Sequence, residues 1–195
     1  PSLAALVSKT DENPSVTVLL YHHIVPELLP ESPHNAAIIS FTEFENQMEY
    51  LFKHGYYTAT LKELEDFLYN KNKLPERTVV ITFDDGYESN YIYAFPVLKK
   101  YGFKAGIFVI GNEMVESNQQ LDLKILSKLT YKEIKEMDDS GLIEFGNHTF
   151  NAHKIVNKKA ALLSMDQKQI VQDFEKVKEL FNRLGLPDPR SIAYP

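Results

Sequence analysis

The sequence predicts an α/β fold, a distorted and incomplete (β/α) barrel formed by residues 1–195 as a single domain. Three observations carry this expectation. Short apolar segments alternate with helical periods, which implies parallel strands joined by crossovers. The helix starts are spelled out by recurring S/T-x-x-E/Q boxes. Polar side chains, namely His22, Asp84, Asp85, His148 and Tyr194, stand just past the C-terminal ends of different strand segments. In a barrel those ends converge on one mouth, whereas in an open sheet they spread along an edge. Six strands are visible against the eight of a full barrel, hence an incomplete one.

The strand segments are Val16–Tyr21, Tyr56–Thr60, Thr78–Phe83, Lys104–Ile110, Leu142–Asn147 and Ser191–Tyr194. Each is short, rich in β-branched and aromatic residues, and bounded by turn formers. Capping boxes are expected at Ser40–Glu43, Thr60–Glu63, Thr130–Glu133 and Ser164–Gln167. After the first, Phe44, Met48, Leu51 and Phe52 share a helical face; after the last, Ile170, Phe174, Val177 and Phe181 do so. Gly55, Gly102, Gly141 and Gly185 stand where left-handed C-caps are expected, and a further helix covers Tyr91–Tyr101, starting or restarting at Pro96. Two long stretches, His23–Ile39 and Gly111–Lys128, fit no element and read as walls of a groove at the mouth or as plain surface loop.

A net charge of −6 argues against a nucleic-acid partner. The absence of cysteine excludes disulfides, thiolate nucleophiles and Cys-ligated zinc. No apolar run approaches the ~20 residues of a membrane span. The opening "PSLAALVSKTDENPS" has no basic region or cleavage site of a secretory leader.

The segment "TVVITFDDGYESN" ends an apolar strand in two adjacent carboxylates. An Asp-Gly turn that caps the next helix needs only one. A second cluster, "EFGNHTFNAHK", places His148 and His153 at another strand end. On a helix, residues five apart point ~140° apart, so a loop must aim both at one atom. Two imidazoles and one carboxylate form a common ligand set for a catalytic divalent metal. The remaining carboxylate can then serve as general base toward water, so one Asp ligates and the other takes the proton. In "LLYHHIVP", strand alternation sends only one of His22 and His23 into the mouth, where an imidazole could act as general acid.

"TFDDGY", "NHTFNAH", "LLYHHI" and the terminal "AYP" together resemble the polysaccharide deacetylase family, carbohydrate esterase family 4, whose domain is the NodB homology domain; the resemblance runs from about Val16 to the last residue. It implies a distorted (β/α) barrel and metal-dependent hydrolysis of N-acetyl groups on an N-acetylglucosamine polysaccharide. It also implies one divalent metal ion, zinc first, with cobalt, nickel or manganese as alternatives. By resemblance, Asp84 is the base, and Asp85, His148 and His153 are the metal ligands. The two histidines stand one residue further apart than in the commoner H-[ST]-x-x-H spacing. That spacing resembles the branch acting on poly-β-1,6-N-acetylglucosamine in biofilm matrix, and implies an extracellular or cell-surface setting. The same branch has a Y-H-x-[IV] motif carrying the general acid, which favours His22 over His23. Tyr194 and Arg190 are implied in substrate binding, with Arg190 also a candidate to orient the base. The chain stops at Pro195 inside what resembles "AYPYG". A glycan-binding module with a weakened site is the alternative function. A phosphoryl-transfer domain would explain the Asp pair but not His148 and His153.

Overall fold

The structure is a computed structural model that describes residues 15–27, 35–69, 71–117 and 126–195. In chain order its strands and helices are β1 (Thr17–Tyr21), β2 (His23–Val25), β3 (Ile38–Ser40), α1 (Phe41–Lys53), β4 (Tyr57–Thr58), α2 (Leu61–Leu68), β5 (Thr78–Phe83), α3 (Phe95–Tyr101), β6 (Ala105–Val109), α4 (Tyr131–Asp139), β7 (Ile143–Asn147), β8 (Ile155–Val156), β9 (Lys159–Ala160) and α5 (Gln167–Leu184). A π-helical turn, Asn90–Ala94, leads into α3.

The principal sheet is all parallel, in the order β1-β5-β6-β7, with β4 paired to the start of β5. Beyond β7, Ile192 makes a single parallel bridge to Asn147. This is all that forms of the strand expected at Ser191–Tyr194. Among the described residues the path stays open between β1 and Ile192, so the barrel is incomplete.

Side-chain alternation assigns the two faces. Tyr21, Val79, Ile81, Phe83, Ile107, Val109, Ile143 and Phe145 join a core with Phe44, Met48, Leu98, Ile134, Met137, Val177 and Phe181 of the helices. Tyr21 meets Phe44 edge-on at 5.2 Å, and Phe83 lies 5.4 Å from Tyr21 and 5.8 Å from Phe44. On the opposite face lies α2. The Lys62 amide donates to Glu144 Oε2 at 3.2 Å, and Leu61 occupies the space above Gly106.

The capping boxes at Ser40, Thr60 and Thr130 form as expected. The fourth is displaced. Residues Ala161–Ser164 form a 3-10 turn, and the cap of α5 is Asp166, which trades hydrogen bonds with Gln169. Asp is as good an N-cap acceptor as Ser, so two boxes compete two residues apart and the turn decides between them. All four expected glycines adopt positive φ. Phe52 departs from the expected buried face of α1: it is 56% exposed and packs on the Tyr101 ring at 5.1 Å, while Phe44, Met48 and Leu51 are buried. Ile170 and Phe174 are half-buried, and Val177 and Phe181 fully buried.

The two stretches expected to lack structure are partly ordered into it. His23–Val25 and Ile38–Ser40 pair as the parallel strands β2 and β3. Gly111–Glu113 forms a 3-10 turn. The middles of both stretches, 28–34 and 118–125, lie outside the described residues, as does the opening of the N-terminal stretch.

The pairing of β6 with β7 sets Phe108 against Gly146. A Cβ at 146 would lie 2.5 Å from Phe108 Cδ1 and Cε1. Gly146→Ala is therefore expected to destabilise the chain by about 1–3 kcal/mol through overpacking, measured as a lower urea midpoint.

Candidate metal centre and active site

Each half of the site is a strand end turned by unusual backbone. At the end of β5 the Asp84 amide still donates to the Tyr21 carbonyl at 2.9 Å, as an extension of the β1–β5 ladder. Asp85 then enters the left-handed region at φ 71°, followed by Gly86 at φ 64°. Asp is among the few non-glycine residues that tolerate this region. The abrupt change of backbone points the two neighbouring carboxylates in different directions.

The end of β7 carries the histidines. The Asn147 side chain accepts from the Thr149 amide at 2.7 Å, and Thr149 sits at φ 70°. Thr149 Oγ1 accepts from the Ala152 amide at 3.1 Å. From α5, the buried Asp173 carboxylate accepts from the amides of Phe150 and Asn151 at 2.6 and 2.8 Å. This tight loop folds the chain back so that the rings of His148 and His153 lie 4.5 Å apart.

The two halves meet. Asp85 Oδ1 is 3.3 Å from His148 Nε2 and 3.4 Å from His153 Nε2. One donor atom from each of the three residues lies within 4.8 Å of the others. His148 Nδ1 is 2.8 Å from the Ala193 carbonyl, which can only accept, so Nδ1 carries the proton and Nε2 keeps its lone pair for the cluster. Asp85 Oδ1 is buried with no hydrogen-bond partner. An orphaned, inward-facing carboxylate oxygen between two imidazole nitrogens is a donor set that suits a divalent metal.

The two aspartates are electrostatically distinct. Burial pushes the Asp84 carboxyl above its ordinary range. Asp85 reinforces that, while His148, His22 and His153 pull against it. For Asp85, burial again acts upward, but the neighbouring His148, Lys128 and His153 outweigh it and bring the carboxyl down to about 2.

His22 is half-buried and near enough to Asp84 for its charge to act on that carboxyl, and its carbonyl is held by Asn90 Nδ2 at 2.7 Å. His23 turns the other way. Its ring is buried, with Nδ1 2.9 Å from Ser89 Oγ and its edge against Tyr87 at 5.1 Å. Burial, aided by the charge of Lys128, lowers its pKa.

Tyr194 and Arg190 line a groove of about 710 Å³ that reaches Asp84, together with Leu20 and Tyr69. Arg190, a candidate to orient Asp84, instead grips Glu65 through Nε and Nη2, both at 3.0 Å. A guanidinium on an exposed segment takes the carboxylate that α2 presents nearby. Three contributors to the site were not legible in the sequence: Asp173, the Ala193 carbonyl, and Tyr87, whose phenol lies close to the Asp85 carboxyl. A buried acid in the apolar rhythm of α5 was the one available signal for Asp173.

A parallel sheet with paired acids and paired histidines at its strand ends places the chain in a known class. Residues 71–195 match the polysaccharide deacetylase family, and the chain belongs to it. A relative from Staphylococcus aureus (strain MSSA476), poly-beta-1,6-N-acetyl-D-glucosamine N-deacetylase, is 38% identical over 160 residues, 80% of this chain and 53% of the relative. IcaB from Ammonifex degensii aligns at a TM-score of 0.75 and 30% identity, over 93% of this chain and 75% of that one. A de-N-acetylase from Aggregatibacter actinomycetemcomitans aligns at 0.74 and 25% identity, over 92% and 79%. The chain spans about half the length of the curated relatives it matches.

Asp173→Ala removes two charge-assisted hydrogen bonds from the histidine loop. Denaturant unfolding is expected to show a loss of about 2–3 kcal/mol. Asp173→Asn, which can still accept through one oxygen, is expected to lose less.

Proposed function

We propose that this chain hydrolyses N-acetyl groups from an N-acetylglucosamine polysaccharide, releasing acetate and leaving a free amine on the sugar. The observation that carries the proposal is the Asp85–His148–His153 cluster, with Asp84 adjoining it and His22 near enough for its charge to act on Asp84. The S. aureus relative, a poly-beta-1,6-N-acetyl-D-glucosamine N-deacetylase, supports a poly-β-1,6-linked substrate.

One divalent ion, zinc first with cobalt, nickel or manganese as alternatives, would be held by Asp85 Oδ1, His148 Nε2 and His153 Nε2. When bound it supplies Lewis acidity, polarising the acetamide carbonyl and acidifying a water. The protein's own groups move the protons. Asp84 accepts one from the attacking water as its oxygen bonds to the carbonyl carbon. Its raised pKa suits a base that must later release that proton. The amide C–N bond then breaks, and His22 as imidazolium donates a proton to the departing nitrogen. Burial of Asp84 keeps bulk water from competing for the transferred proton. The groove lined by Tyr194 and Arg190 would receive the sugars flanking the reacting unit. An extracellular or cell-surface setting fits a polymer of this kind, and no helix among the described residues is long and apolar enough to cross a membrane.

Acetate release from β-1,6- and β-1,4-linked N-acetylglucosamine oligomers, with each metal added in turn, tests the reading. Oligomer binding without acetate release would indicate a glycan-binding module instead. Asp84→Asn is expected to retain metal affinity while turnover falls by about 10²–10⁴-fold; parallel metal titration and acetate assays check this.

His22→Ala is expected to cost about 10²–10⁴-fold in acetate release with metal binding unchanged. His23→Ala should register mainly as a lower melting temperature, because its ring is buried against Ser89 and Tyr87. Equal rate losses in the two variants would remove His22 from the role of acid.

A further inference from the structure

Lys128 serves none of the roles assigned above, yet its ammonium is drawn into the back of the site. Its side chain is only 16% exposed and pairs with Glu113 Oε2 at 3.0 Å. Nζ donates to the main-chain carbonyl of Asp85 at 3.1 Å and lies 3.9 Å from the centroid of the Tyr87 ring. The flanking backbone is zipped to the same turn. Glu88 N donates to the Ser127 carbonyl at 2.8 Å and Leu129 N to the Gly86 carbonyl at 3.0 Å, around an antiparallel bridge between Tyr87 and Lys128. On its other side this strap is tied to Val115, whose amide donates to the Leu129 carbonyl at 3.3 Å.

We propose that Lys128 is a positioning residue for the metal-ligating carboxylate. The inference rests on the reading of Asp85, His148 and His153 as a metal site. Asp tolerates the left-handed region without preferring it, so the contacts that hold it there matter. At Asp85 the left-handed turn takes the carbonyl off the β ladder, and Lys128 donates to it. The same cation sits over the ring of Tyr87, whose phenol lies close to the Asp85 carboxyl. Lys128 therefore holds the Asp85 backbone directly and packs on the Tyr87 ring beside its side chain. This leaves Oδ1 aimed at the two imidazoles.

A cation near a metal site also repels the metal, so the sign of the effect has to be argued. The Glu113 carboxylate lies against the ammonium and offsets part of its charge. The hydrogen bond and the ring contact act at short range on the ligand itself. Preorganisation of the ligand is then the larger effect, and loss of Lys128 weakens metal binding.

The test is metal titration of the unsubstituted chain, Lys128→Met, Lys128→Arg and His148→Ala, using Zn²⁺ affinity and the visible absorption of bound Co²⁺. Thermal unfolding of each metal-free protein runs alongside. Lys128→Met is expected to bind about 10–100-fold more weakly, the range found when outer-shell partners of ligands are removed. Its metal-free melting temperature should change little, and Lys128→Arg should recover most of the affinity. Affinity equal to or tighter than that of the unsubstituted chain, with His148→Ala abolishing binding, would overturn the role of Lys128 and leave the metal site standing. If the unsubstituted chain binds no metal, or His148→Ala binds as well as it does, the site itself is refuted and this inference with it. Should Lys128→Met not fold, Glu113→Gln keeps the cation but removes its anchor. A smaller loss of affinity there supports the proposal, and unchanged affinity refutes it.

Discussion

The turn Asp84-Asp85-Gly86 is the constraint on which the rest of the site depends. Two adjacent carboxylates repel, and both are buried. They coexist because the backbone changes region between them. Asp84 continues the extended ladder of β5, while Asp85 sits at φ 71°. The carboxylates thereby face different partners and their proton affinities separate. Burial raises Asp84, whereas at Asp85 the neighbouring His148, Lys128 and His153 overcome burial and hold the carboxyl at about 2. Two titratable groups driven apart by their surroundings are the arrangement from which acid, base and ligand roles follow.

The histidine half depends on parts of the chain remote in sequence. His148 has its tautomer set by the Ala193 carbonyl, 45 residues on. The loop to His153 is pinned by Asp173 from α5. The Asn147 amide donates to Ser191 and its carbonyl accepts from Ala193, so the last described segment runs beside β7. The site is therefore assembled from the ends of strands β1, β5 and β7 and from the segment that follows α5. The continuous pairing of β1, β5, β6 and β7 fixes the relative heights of these ends.

The π-helical turn after β5 contributes in another way. Ser89, just before it, accepts from the Ile24 amide at 3.1 Å and touches the His23 ring, and Asn90 holds the His22 carbonyl. These contacts fix the chain where β1 passes into β2, which is where the two neighbouring histidines diverge. Ser89 and this wide turn thus hold the segment in which the His23 ring is buried against Tyr87 and His22 is left half-buried on the other side. Widened helical turns of this kind recur at functional sites because they redirect side chains without ending the helix.

Local signals in the sequence were enough for the α/β class, the parallel strands, three of the four expected caps, and the Asp, His, His donor set. Strand periodicity, S/T-x-x-E/Q boxes and glycine C-caps act over a few residues, so they are readable without knowing the fold. The same locality explains the errors. Ser164 and Asp166 both offer a capping box, and only the packing of the preceding 3-10 turn chooses Asp166. Phe52 lies at the margin of the apolar stripe of α1, and the Tyr101 ring outside the core claims it. Pairing of β2 with β3 needs two partners found only after folding. The capture of Arg190 by Glu65 joins residues 125 positions apart, and the grip of Lys128 on Asp85 spans 43. Such contacts leave no periodic trace in either segment. They exist because tertiary packing brings groups remote in the sequence together.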